Sequence, residues 1–124
     1  MAKILVVDDE IALCKIIERT LSNEEHEVFL AHDGKEALKR LYTVSPDLII
    51  LDVMMPGMDG FEVCSKVRED PFYNELPIIM LTGETSKEDE LKAYDSGADV
   101  YMEKPFHLSD LLSKINIFID DLNK

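Results

Sequence analysis

The chain has 124 residues and a net charge of −13, enough length for one domain with a buried core (residues 1–124) and too much acid for a nucleic-acid or anionic-membrane surface. Hydrophobic residues at 46% and charged residues at 31% fit a soluble globular protein, and no apolar run approaches the ~18 residues of a membrane span. Asp8-Asp9-Glu10 cuts off the apolar start before a signal peptide could form, and Cys14 and Cys64 lack zinc-ligand spacing, so a cytoplasmic protein with buried free thiols is expected.

Ile4 to Val7 reads as a first strand ending at Asp8-Asp9. Ile11, Cys14, Ile17 and Leu21 then recur at helical spacing to about Ser22. Val28 to Ala31 is a shorter, less apolar strand near a sheet edge, and Gly34 opens a helix with Ala37, Leu38 and Leu41 on one face. Leu48-Ile49-Ile50-Leu51-Asp52 is a strand buried on both faces that ends in a carboxylate, just before the Met54-Met55-Pro56-Gly57 loop. Asp59 is placed to cap the next helix, with Glu62 reaching back and Phe61, Cys64 and Val67 facing inward, until Asp70-Pro71 ends it.

Pro77 to Leu81 is a fourth strand running into Thr82-Gly83. Ser86 is a candidate cap for a fourth helix with Leu91 and Tyr94 facing in, and Ser96-Gly97 stops it. Asp99-Val100-Tyr101-Met102 forms a fifth strand ending at Glu103-Lys104-Pro105, and Leu108, Leu111, Leu112, Ile115, Ile119 and Leu122 mark a last amphipathic helix. Strands alternating with helices through short connections give an α/β fold, a parallel sheet with helices on both faces.

Such sheets bind ligands beyond the carboxyl ends of their strands. Those ends carry Asp8 and Asp9, Asp52, Thr82 and Lys104; His32-Asp33 is set aside because an outer strand should lie away from the cluster. Ionised carboxylates sharing one pocket call for a cation, and a hard, oxygen-liganded ion such as magnesium suits them. Asp52 is then a candidate nucleophile toward phosphorus, with Lys104 pairing with it beforehand and the Thr82 hydroxyl donating to a phosphoryl oxygen. Each residue also has a plainer role: Asp8-Asp9 as a helix cap, Thr82 as a turn residue, Tyr101 as half-buried core, Lys104 as a loop lysine. It is their conjunction at four strand ends that argues for a site. Met54, Met55 and Met58 read as loop and packing residues, and His26, His32 and His107 as surface groups. The run Lys87-Glu88-Asp89-Glu90 reads as the solvated face of a helix.

The segments Ile4-Leu5-Val6-Val7-Asp8-Asp9, Pro46-Asp47-Leu48-Ile49-Ile50-Leu51-Asp52, Met55-Pro56-Gly57-Met58-Asp59-Gly60, Thr82-Gly83, Gly97-Ala98-Asp99 and Lys104-Pro105-Phe106, in this order, resemble the receiver domain of two-component response regulators. The resemblance implies a doubly wound five-stranded parallel sheet of order 2-1-3-4-5, the flavodoxin-like (βα)5 fold. It implies that Asp52 accepts phosphate from a phosphohistidine of a sensor histidine kinase or phosphotransfer protein. It further implies Mg2+ bound by Asp9, Asp52 and the backbone carbonyl of Met54, with Asp8 acting mainly through water. Thr82 and Tyr101 match the family's switch pair, in which the hydroxyl moves toward the phosphoryl group and the ring rotates inward. Lys104 matches the phosphate-contacting lysine, preceding a cis bond to Pro105. The changed face would be the fourth helix, fifth strand and fifth helix, controlling a downstream protein or an output domain, and the resemblance allows a phosphorylation-dependent dimer. Met54 and Glu84 occupy the positions that tune phosphate loss in the family. Such a protein catalyses only its own phosphotransfer and dephosphorylation.

An Mg2+-dependent phosphohydrolase with an aspartate nucleophile is the rival, but it needs a second acid two residues past Asp52, where Met54 stands. A flavodoxin-like FMN carrier shares the winding, yet Asp8-Asp9-Glu10 would repel its phosphate. Within the receiver reading, a single-domain regulator and a receiver cut from a longer regulator both remain open.

Overall fold

A computed structural model describes residues 2–83 and 87–122 of the chain. Five strands, β1 (Lys3–Val7), β2 (Glu27–Ala31), β3 (Leu48–Asp52), β4 (Ile78–Thr82) and β5 (Val100–Glu103), form one sheet ordered β2-β1-β3-β4-β5. Every pairing is parallel. The connections are α1 (Ile11–Asn23), α2 (Gly34–Val44), α3 (Gly60–Glu69) and α4 (Lys87–Ser96), and α5 (Leu108–Leu122) follows β5. The fold is therefore the doubly wound α/β arrangement that the sequence predicts.

Successive residues of a strand face opposite sides of the sheet, and the chain uses both. Leu5, Val7, Ile49, Leu51, Ile78 and Met80 pack with residues of α2, α3 and α4. Ile4, Val6, Leu48, Ile50, Ile79 and Leu81 pack with residues of α1 and α5. The central strands β3 and β4 are buried at every position, which is why they read as unbroken apolar runs. Edge strand β2 is mostly half-buried, matching its weaker pattern.

Strand bounds differ from the expectation by one residue: β1 starts at Lys3, β2 starts at Glu27, β4 runs Ile78–Thr82, and β5 runs Val100–Glu103. The fourth helix is rotated relative to its expected face. Leu91 and Tyr94 are 63% and 46% exposed, and among the described side chains of the helix Ala93 is the buried one. Positions 91 and 93 lie about 200° apart on a helical wheel, so only one of them can face the sheet. The small Ala93 lets α4 pack closely on that core, and the larger apolar side chains face outward. The expected Ser86 cap and Glu84 lie outside the described residues, as does the side chain of Leu122. Asp59 caps α3, its carboxylate accepting the Glu62 N–H at 2.9 Å. Asp33 caps α2 in the same way through the Glu36 N–H at 2.7 Å.

Both cysteines are buried free thiols. His107 is exposed, but His26 and His32 are half-buried and hydrogen-bonded, a correction to their expected surface placement. Among the described residues no helix is long and apolar enough to cross a membrane.

Candidate metal and phosphoacceptor site

Parallel strands bring their carboxyl ends to one edge, and here that edge is acidic. Asp8 follows β1 directly, Asp9 comes next, and Asp52 closes β3, the neighbour of β1. Each of the three offers a carboxylate oxygen within 4.8 Å of the others. Asp8 and Asp52 are buried, whereas Asp9 is exposed. Lys104, just past β5, reaches across to place its Nζ 2.8 Å from Asp8 Oδ2 and 3.1 Å from Asp52 Oδ1. The expected pairing of Lys104 with Asp52 is present, and the shorter bond to Asp8 is an addition to it. Glu10 also approaches the ammonium at 3.4 Å. The Lys104–Pro105 bond is cis.

Thr82 is buried at the end of β4, and Tyr101 lies half-buried on the adjacent β5. Burial pushes the Tyr101 phenol up, and a hydrogen bond with the Thr82 side chain works against that rise. Met54 follows Asp52 by two residues, its side chain 62% exposed while Met55 is buried. Met54 and Thr82 line a depression of about 580 Å³ together with Gly57, Asp89 and Lys92.

The electrostatics follow from crowding like charges away from water. Burial raises Asp52 to about 6; the Asp8 charge adds to the rise and Lys104 opposes it. For Lys104, burial favours the neutral amine, but the hydrogen bond to Asp8 and the charge of Asp52 outweigh it and the net direction is upward. The lysine therefore stays an ammonium in a pocket that has more negative than positive groups. An all-oxygen donor set with surplus negative charge fits a hard divalent cation such as Mg2+.

Asp8 has a second set of partners: His32, which the sequence reading leaves out of the cluster, and Cys14, which it reads only as a buried thiol. Its backbone carbonyl accepts from Cys14 Sγ at 3.3 Å and from His32 Nδ1 at 3.1 Å. His32 was expected to lie away from the cluster because it ends an outer strand. The strand order itself shows why it does not: β2 is the direct neighbour of β1, so the residue after Ala31 falls beside Asp8. Burial raises the Cys14 thiol to about 11, which keeps the proton it donates.

The sequence of residues 4–116 matches the family model described as the response regulator receiver domain. The chain belongs to this family. The receiver is similar to Vibrio cholerae chemotaxis protein CheY4, at 41% identity and a TM-score of 0.90 over 95% of this chain and 98% of that one. The receiver domain of Francisella response regulator 1452 is 31% identical with a TM-score of 0.90, covering 98% of this chain and 99% of its own. A two-component response regulator from Clostridium difficile superposes over 100% of both chains with a TM-score of 0.93 at 27% identity. Receivers of this family are signalling switches of two-component systems, and they bind Mg2+ at an acidic pocket.

Proposed function

We propose that this receiver takes a phosphoryl group onto Asp52 from a phosphohistidine of a sensor histidine kinase or phosphotransfer protein in the cytoplasm. The convergence of Asp8, Asp9 and Asp52, with the Lys104 ammonium bonded to Asp8 and Asp52, carries this reading. An Asp52 carboxylate oxygen attacks phosphorus, a P–O bond forms, and the P–N bond breaks with its electron pair remaining on the imidazole ring. Lys104, already 3.1 Å from Asp52, balances a phosphoryl oxygen, and the Thr82 hydroxyl donates to another. Asp9, Asp52 and the Met54 carbonyl would hold Mg2+, with Asp8 acting through water. When bound, the ion neutralises charge on the cluster and on the phosphoryl oxygens.

Output follows from the same groups. Recruiting Thr82 and Lys104 to the phosphoryl group alters their bonds to Tyr101 and Asp8, and the change spreads to α4, β5 and α5. Exposed Leu91 and Tyr94 on α4 give that face apolar contacts for a downstream protein, an output domain or a second receiver. The test is labelling by acetyl phosphate with and without Mg2+, read by intact mass. The native protein gains one phosphoryl group only with Mg2+, and Asp52→Asn gains none. Stoichiometric labelling of Asp52→Asn overturns the assignment.

A further inference from the structure

Beyond the last rung of the β1–β2 ladder, Val7 with Ala31, the backbone of Asp8 still has to satisfy its polar groups in a fully buried position. Its N–H donates to the Ala31 carbonyl at 3.1 Å. Its carbonyl receives no donor from a continuing strand, and two side chains take that role: Cys14 Sγ from α1 and His32 Nδ1 from the end of β2. A carbonyl oxygen only accepts, so His32 carries its proton on Nδ1.

That carbonyl belongs to the planar peptide joining Asp8 to Asp9. Holding its oxygen from two sides, with the preceding N–H held as well, fixes the direction in which the chain leaves β1. It thereby fixes where both carboxylates go. The Asp8 side chain is secured separately, by Lys104 at 2.8 Å and by the Glu10 N–H at 2.9 Å. Asp9 is exposed and depends on its backbone for placement.

We propose that His32, assisted by Cys14, is a positioning residue for the metal pocket, holding the Asp8–Asp9 peptide so that Asp9 is aimed at a cation shared with Asp52. The inference rests on the metal reading above. Groups that orient ligands from behind govern affinity without touching the ion, and losing one typically weakens metal binding about 10–100-fold.

The experiment is a Mg2+ titration of the melting temperature for the native receiver, His32→Leu, His32→Asn and Cys14→Ala, each referenced to EDTA. His32→Leu fills similar space without a donor and is expected to need about 10-fold more Mg2+ for half of the rise. His32→Asn presents an amide N–H near the Nδ1 position and restores the native midpoint, which a purely space-filling role would not produce. Cys14→Ala shifts the midpoint in the same direction as His32→Leu, and stands in for it should that variant fail to fold. A native midpoint in His32→Leu and Cys14→Ala, or a shift that His32→Asn leaves uncorrected, overturns the positioning role. A native receiver that does not respond to Mg2+ overturns the metal reading itself.

Discussion

Lys104 Nζ lies 2.8 Å from Asp8 Oδ2, a bond between residues 96 positions apart that ties the end of β5 to the end of β1 across the whole site. With Asp8 wholly buried, this ammonium is what makes an acid cluster tolerable in the fold. Lys104→Met keeps the aliphatic stem and removes the charge, leaving Asp8 and Asp52 facing each other uncompensated. Breaking a buried pair on one side costs about 3–5 kcal/mol, and that loss is expected in urea unfolding with EDTA present. Millimolar Mg2+ should narrow the gap, because a cation then supplies part of the missing charge. A loss under about 1 kcal/mol in EDTA, the range of an exposed pair, would mean that the cluster does not lean on Lys104.

Gly60 opens α3 directly against the Asp52 backbone. A Cβ at this position would collide with the Asp52 carbonyl oxygen and come within 2.9 Å of Val53 Cα, while the Gly60 N–H donates to the Val53 carbonyl at 3.0 Å. The backbone that carries Asp52 therefore rests on a helix start with no side chain. Gly60→Ala forces the two apart, and overpacking of this kind costs about 1–3 kcal/mol. Because the displaced atoms belong to Asp52 itself, labelling by acetyl phosphate should slow in the same variant. Native stability together with a native labelling rate would show that the gap can open freely.

How far the site could be read in advance depended on which groups carry it. Asp52 was legible because an aspartate at the end of an all-apolar run has few inexpensive explanations. Asp8, Asp9, Thr82 and Lys104 followed from strand ends alone. The Asp8 bond of Lys104 was not, since linear order does not say which of two neighbouring carboxylates a flexible lysine reaches first. His32 is illegible for a different reason: an outer strand implies distance from the site, although β2 borders β1. On α4 the larger apolar residues, Leu91 and Tyr94, carry the stronger sequence pattern, yet close helix–sheet packing favours the small side chain of Ala93.

His26 provides a pH dependence away from the acid cluster. Its Nδ1 accepts the Ala2 N–H at 3.2 Å, which requires an unprotonated nitrogen. Burial holds its pKa below 6.5, with nearby Glu24 opposing the shift. A folded-state pKa lower than the unfolded one means that the fold favours the neutral ring. The associated stability is full above the unfolded value and is lost as pH falls through the folded one. His26→Asn keeps an acceptor for Ala2 and cannot be protonated. Its melting temperature should fall less than that of the native receiver between pH 7.5 and pH 5.5, buffers otherwise matched. Equal falls in the two proteins would remove His26 from the acid response.

Arg68 secures the opposite edge of the sheet through partners on separate segments. Its guanidinium donates to the main-chain carbonyls of Gly97 at 2.9 Å, Leu76 at 2.7 Å and Tyr73 at 3.3 Å, and to Asp99 Oδ2 at 2.9 Å. The same Asp99 oxygen accepts the Ile78 N–H at 2.8 Å where β4 begins, so one side chain joins the end of α3 to the entries of β4 and β5. Gly97 has φ of +108°, and a Cβ there would run into the Arg68 side chain, so the turn and the arginine are fitted to each other. Arg68→Met leaves those half-buried carbonyls without their donor, and a loss of about 1–3 kcal/mol is expected in urea unfolding. Arg68→Lys should recover only a small part of it, because a single ammonium cannot fork to partners on separate segments. The latch lies at the amino ends of the strands, remote from Asp52. Labelling of folded Arg68→Met at saturating Mg2+ should therefore match the native receiver, and a reduced labelling rate in that fully folded variant would connect the two edges of the sheet in a way that their separation argues against.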